Sequence, residues 1–170
     1  MRPAAPEDAA ALADVHVTSW QATYRGVFDD DFLESLDRGT RAVWFEARIG
    51  SGASILVDPD ERPKGFCWYG KPLADEEEED WAEVYAIYVH PEAWGEGHGH
   101  RLLAAAVRDM TELGYDGVFL WVLDRNERAR SFYERQGWQL APQLKLEEIG
   151  GMQVTEVRYQ LDLGERSQPG

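Results

Sequence analysis

Between Val84 and Leu103 an apolar stretch runs into glycines at 95, 97 and 99, and these run into a segment rich in alanine and leucine. Trp81 to His90 reads as a strand and His98 to Leu113 as the helix it feeds, with Gly114 as its C-cap. Glycines in that loop leave backbone N–H groups uncovered by Cβ atoms at the positive end of the helix, an arrangement that holds a pyrophosphate without a metal. Gly95-x-Gly97-x-Gly99 is not the dinucleotide spacing Gly-x-Gly-x-x-Gly, and no Gly-Lys-Ser or Gly-Lys-Thr follows it. The loop points to a phosphorylated small molecule outside those two classes.

The remaining pattern is that of an α/β chain. Pro6-Glu7-Asp8 opens a helix carried on by Ala10, Leu12, Ala13, Val15, Val17 and Trp20, with only Met1 to Ala5 before it. Short helices are expected over Asp29 to Leu36 and Thr40 to Ile49. Ser54 to Val57 and Lys64 to Tyr69 read as strands flanking a loop that begins at Asp58. The run Asp75 to Asp80 reads as a solvated charge run. Gly117 to Leu123 reads as a buried strand, Asn126 to Arg135 as a helix closed by Gly137. Trp138 to Glu147 and Met152 to Leu163 read as an antiparallel pair around Gly150-Gly151. Residues 164–170 carry no pattern, so the expected domain is 1–163 followed by an unstructured tail.

After the second buried strand comes Asn126-x-x-Ala129-x-x-Phe132-Tyr133-x-x-x-Gly137-Trp138. Together with Val89-His90-Pro91 and Trp94-Gly95-Glu96-Gly97-His98-Gly99, this resembles the acetyl-CoA site of the GNAT superfamily of N-acetyltransferases. The resemblance is specific over residues 82–138 and looser over the rest. It implies a single-domain fold with a mixed, mostly antiparallel central sheet flanked by helices, of whose opening strand this chain keeps at most a stub. It also implies that acetyl-CoA is the co-substrate and that a neutral amine attacks its thioester directly.

On that resemblance the backbone of Ile87, Tyr88 and Val89 pairs with pantetheine, and the backbone N–H groups from Trp94, Gly95, Glu96, Gly97, His98 and Gly99 to His100 hold the pyrophosphate. Asn126 caps its helix and reaches the pantetheine region, with Phe132 and Tyr133 completing the cofactor wall. Tyr133 is the expected general acid for the leaving thiolate, and its bland alternative is an aromatic on the apolar side of a helix. Glu83 is the expected base, with Tyr85 two residues on along the same strand face; the alternative is a solvated acid. His16, Trp20 and Tyr24 form a stripe on the first helix, and Trp20 and Tyr24, with Glu83 and Tyr85, are the candidate acceptor-binding residues; such stripes are also commonly core. The chain departs from the family at Trp94, where Gln or Arg is usual, and at Glu96, where Lys or Arg is common. A carboxylate in the anion loop is expected to weaken CoA binding unless its side chain points into solvent.

Composition narrows the partners. A formal net charge of −15 over 170 residues opposes a nucleic-acid surface and favours a cationic acceptor. The anionic CoA must then rely on the local cradle and on Arg101, Arg125, Arg128 and Arg130. A single cysteine, Cys67, excludes an intrachain disulfide and a cysteine zinc cluster, and fits a reducing cytoplasm. No apolar run approaches the roughly eighteen residues of a membrane span, and no cluster has metal-ligand spacing. The expected acceptor is the primary amine of a small molecule, polyamines included. Two rivals are a non-catalytic acetyl-CoA-binding regulatory relative and a peptide or protein N-terminal acetyltransferase. The exposed last strand of such a sheet offers a homodimer edge.

Overall fold

The computed structural model describes residues 1–73 and 80–164; most of the acidic run from Asp75 and the tail after Gly164 lie outside them. In chain order the elements are β1 (Arg2–Pro3), α1 (Ala9–Tyr24), α2 (Asp30–Glu34), α3 (Arg38–Gly50), β2 (Ser54–Val57), β3 (Gly65–Gly70), β4 (Trp81–Val89), α4 (His98–Leu113), β5 (Gly117–Leu123), α5 (Glu127–Arg135), β6 (Gln139–Ile149) and β7 (Met152–Asp162). The sheet order is β1-β2-β3-β4-β5-β7-β6. Four recorded pairings are antiparallel, and β4 with β5 is parallel, in register from Trp81↔Gly117 to Val84↔Leu120. The expected opening stub is the two-residue β1, which pairs Arg2 with Val57. The chain's last strand is not the outermost one: β7 lies between β5 and β6, so the free edge belongs to β6.

The residues gather into two compact units, Met1–Tyr69 with Ala86–Ala106, and Gly70–Tyr85 with Val107 onward. In the first, the apolar positions read on α1 meet the alternating residues of β2 and β3. Leu12, Ala13, Val15, Phe45, Ile55, Val57 and Phe66 form a buried cluster, with Ala86 and Tyr88 of β4 packed against it. Each such side chain contributes on the order of 1.5–3 kcal/mol by leaving water. The start of the chain is tied down by Asp8, which is almost wholly buried. It accepts from both guanidinium nitrogens of Arg2 at 2.7 and 2.9 Å and from the Ala5 N–H at 2.8 Å.

In the second unit, β5 is buried on both faces, as its unbroken apolar run requires. On one side Trp81 of β4 covers Gly117, where an added Cβ would come within 2.5 Å of the indole ring, and the Arg158 guanidinium lies 4.0 Å from the Phe119 ring centroid. On α5 the Tyr133 ring meets Trp138 and Tyr159 with centroids 5.9 and 6.0 Å apart. β6 and β7 turn at Gly150 and Gly151, with φ of +58° and +78°, the double positive φ that a two-residue hairpin turn demands. Among the described residues no helix is long and apolar enough to cross a membrane.

Candidate active site

The glycine loop has the backbone that its sequence called for. Gly95 and Gly97 sit at φ +86° and +83°, in the left-handed region that favours glycine. Around Gly95 no atom lies within 4 Å of an ideal Cβ position, and at Gly97 one would meet the Arg101 guanidinium at 3.0 Å. Gly99 lies inside α4, which starts at His98 as expected. Gly95, Glu96, Gly97 and His100 are exposed, so this is an open cradle at a helix start, and its residues fit a pyrophosphate.

Trp94 fastens the end of β4. Its indole N–H donates to the Val89 carbonyl at 2.7 Å, and the Ser19 hydroxyl of α1 donates to the same oxygen at 2.9 Å. The strand end is thus fastened to the loop and to α1. Of the three β4 residues expected to pair with pantetheine, Val89 has its carbonyl engaged by side chains. Ile87, Tyr88 and Val89 are all partly exposed.

The aromatic stripe of α1 is a packed ladder. Trp20 donates its indole N–H to the Tyr88 hydroxyl at 2.9 Å, Tyr24 is buried with its ring 4.8 Å from that of Trp20, and both meet Phe28. His16 belongs to the same ladder, 5.1 Å from the Tyr88 ring, and its buried Nδ1 has no hydrogen-bond partner among the described residues. Burial, aided by the charge of Arg41, pushes its pKa down to about 4.

The second unit holds the acid–base candidates. Glu83 is buried, and its Oε2 accepts from the Leu73 N–H at 2.8 Å. Tyr85 donates its hydroxyl to the Lys71 carbonyl, and burial with the nearby charge of Glu83 pushes its phenol up to about 12. Tyr133 is buried within its aromatic group. Asn126 caps α5 through its side-chain oxygen, which accepts from the Ala129 N–H at 3.1 Å, and Phe132 beside it is partly exposed. Arg130 is committed to the fold: it donates to the Asp124 carboxylate and carbonyl and to the Tyr159 hydroxyl. Cys67 is fully buried, which pushes its thiol up and makes it a core residue.

Three polar residues here escaped sequence reading. Glu156 of β7, opposite Leu123 and Lys145 in register, has its pKa raised by burial and by the charges of Glu147 and Glu83, against the lowering effect of Lys145. Ser19 sits in an apolar helical stripe, and Asp58 at the end of β2 reads as a loop acid. Nothing in a single sequence marks contacts across forty or seventy positions such as Asp58 with His98 or Ser19 with Val89.

The Acetyltransferase (GNAT) family matches residues 13–138, which takes in the loop and the Asn126 to Trp138 segment. The chain belongs to that family. It is 31% identical to the N-acetyltransferase YuaI of Bacillus subtilis (strain 168) over 92% of this chain and 89% of the relative. It is 24% identical to the L-amino acid N-acyltransferase MnaT of Escherichia coli (strain K12) over 95% and 92% of the two chains. Among solved structures, yncA from Salmonella typhimurium with acetyl-CoA superposes with a TM-score of 0.72 at 21% identity, covering 99% of this chain and 96% of that one. The mixed sheet and flanking helices are those of this fold.

Proposed function

We propose that this GNAT chain transfers the acetyl group of acetyl-CoA to the primary amine of a small cationic molecule, with polyamines the first acceptors to test. The observation that carries the reading is the positive-φ pair Gly95 and Gly97 opening α4 within a family-matched segment. Backbone N–H groups between Trp94 and His100 receive the pyrophosphate, those of Trp94 and Glu96 excepted because they donate to the Pro91 and Ala93 carbonyls, and the backbone of Ile87, Tyr88 and Val89, the last without its engaged carbonyl, lines up pantetheine. Asn126 and Phe132 border it. Glu83 takes the ammonium proton, the neutral amine nitrogen bonds to the acetyl carbonyl carbon, and the carbon–sulfur bond breaks with its electron pair leaving on the thiolate. Tyr133 gives its phenolic proton to the sulfur, and the nitrogen's second proton passes through solvent to the resulting tyrosinate, which leaves a neutral amide; each positioned acid or base is worth on the order of 10²- to 10⁴-fold. Trp20, Tyr24 and Tyr85 shape the acceptor side.

The domain is taken as residues 1–163 with 164–170 as its tail, and the compartment as cytoplasmic. A homodimer is proposed through β6, whose Leu140, Leu144 and Leu146 are exposed. The decisive experiment measures free thiol released from acetyl-CoA with polyamines, amino acids, aminoglycosides and short peptides. Release with a small amine supports the reading, and release with peptides alone replaces it with N-terminal acetylation. CoA binding without release from any amine makes the chain a non-catalytic binder.

A further inference from the structure

Glu96 is the loop residue least suited to a phosphate ligand, and it is not left to itself. Its carboxylate Oε2 lies 3.3 Å from His98 Nε2, while the other ring nitrogen, Nδ1, lies 2.9 Å from Asp58 Oδ1. Asp58 is 1% exposed, and its second oxygen, Oδ2, has no hydrogen-bond partner among the described residues. An imidazole between two carboxylates can donate to both only when each nitrogen carries a proton, since a neutral ring sets a lone pair against one of them. The buried Asp58 fixes the proton on Nδ1, because losing that donor would leave a carboxylate uncompensated away from water, so the hold on Glu96 depends on the Nε2 proton. Arg101 is otherwise occupied, donating to the Glu96 backbone carbonyl at 3.0 Å.

We propose that Asp58 and His98 are positioning residues for CoA binding, acting through Glu96. Asp58 fixes the ring, and the second ring N–H clasps the Glu96 carboxylate, keeping it from the loop N–H groups that receive the pyrophosphate. Released, that carboxylate is itself an anion next to a helix start and competes for the same donors. The clasp lets this chain carry an acid within its anion loop. The inference rests on the glycine loop being the CoA phosphate site.

The test uses an isosteric cut. In His98→Asn the amide N–H replaces Nδ1–H toward Asp58, and nothing replaces the nitrogen that reaches Glu96. CoA dissociation constants are measured by calorimetry for the parent, His98→Asn, Glu96→Gln and the double variant, with melting temperatures alongside. We expect His98→Asn to weaken CoA about fivefold, the scale of an exposed charge pair gained or lost. Adding Glu96→Gln should then tighten CoA by roughly threefold or more beyond what it does in the parent, since it removes a charge only there set free. Equal effects of Glu96→Gln in both backgrounds, or an unweakened His98→Asn, overturn the clasp. Should His98→Asn fail to fold, Glu96→Asp keeps the charge but withdraws it from His98, and must weaken CoA; an unchanged dissociation constant overturns the proposal. A parent that binds no CoA overturns instead the assignment of the loop.

Discussion

Replacing Gly97 by Asp separates backbone strain from loss of the phosphate site. At φ +83° any Cβ costs on the order of 1–2 kcal/mol, and here it also meets the flexible end of Arg101 at 3.0 Å, which can move aside. For a chain of this size 1 kcal/mol shifts the melting temperature by roughly 2–4 °C, so the unliganded variant should melt about 2–8 °C below the parent. Acetyl-CoA at a hundred times its dissociation constant stabilises the parent by about 2.7 kcal/mol, a rise of roughly 5–11 °C by the same conversion. That rise should vanish in Gly97→Asp, because a carboxylate and a Cβ enter the cradle together. The control is Gly52→Asp: its φ is +82°, nothing lies within 4 Å of its Cβ position, and it belongs to the turn between α3 and β2. It should lose a similar amount of stability and keep the full ligand shift. A folded Gly97→Asp that retains the parent's shift with acetyl-CoA refutes the loop as the phosphate site.

Tyr133→Phe keeps the ring packed against Trp138 and Tyr159, so turnover should fall roughly 10²-fold with little change in melting temperature or CoA affinity; an acyl donor with a more acidic thiol should narrow the gap, and parent-like turnover ends its role as acid. Glu83→Gln retains an oxygen for the Leu73 N–H and should slow the reaction most at low pH, where deprotonating the amine is hardest; identical pH–rate profiles for variant and parent remove it as base. His16 is held neutral, its folded pKa of about 4 lying below the ordinary 6.5, so its share of stability is complete above about pH 6.5 and is lost as pH falls toward 4. At 1.36 kcal/mol per unit that share is at most about 3 kcal/mol, and His16→Phe should flatten this part of the stability–pH curve; an unchanged curve means that the imidazole accepts its proton without cost.

Local chemistry explains what was legible in the sequence. β2, α4 and β5 fall where apolar pattern and glycine punctuation put them, because each carries its own signal: a short β-branched and leucine run at Ile55–Val57 after the Gly50 to Gly52 turn, a stripe closed by Gly114, an unbroken apolar run at Gly117–Leu123. Boundaries slipped where a cap outweighs the stripe. The helix expected from Thr40 begins at Arg38 because Asp37 accepts from the Thr40 N–H, which moves the first turn forward. Strand order and the partners of single polar groups were not legible, since both depend on long-range pairing. β7 between β5 and β6, Ser19 on the Val89 carbonyl and Asp58 on His98 are facts of topology that no window of residues contains.

The acidity of the chain acquires a local meaning through the same long-range pairings. A charge of −15 disfavours CoA everywhere except where backbone dipoles overrule it, and at the loop the one carboxylate present is tied to a histidine. In the second unit the balance is reversed: the charges of Glu83 and Glu147 act on Glu156, and Lys145, 2.5 Å from Glu147, is the cation that all three glutamates act on. Such a group attracts an ammonium, and burial first, with the charges of Glu147 and Glu83 adding to it, holds Glu156 above its ordinary range. An arriving cation lowers the cost of charging it by taking the place of a proton. At a pH low enough for Glu156 to hold a proton, acceptor binding should therefore release protons, and the number released, read from the buffer dependence of the binding heat, should fall in Glu156→Gln while the acetyl-CoA heat stays as it was. Equal proton release by parent and Glu156→Gln would mean that the acceptor's charge is met elsewhere.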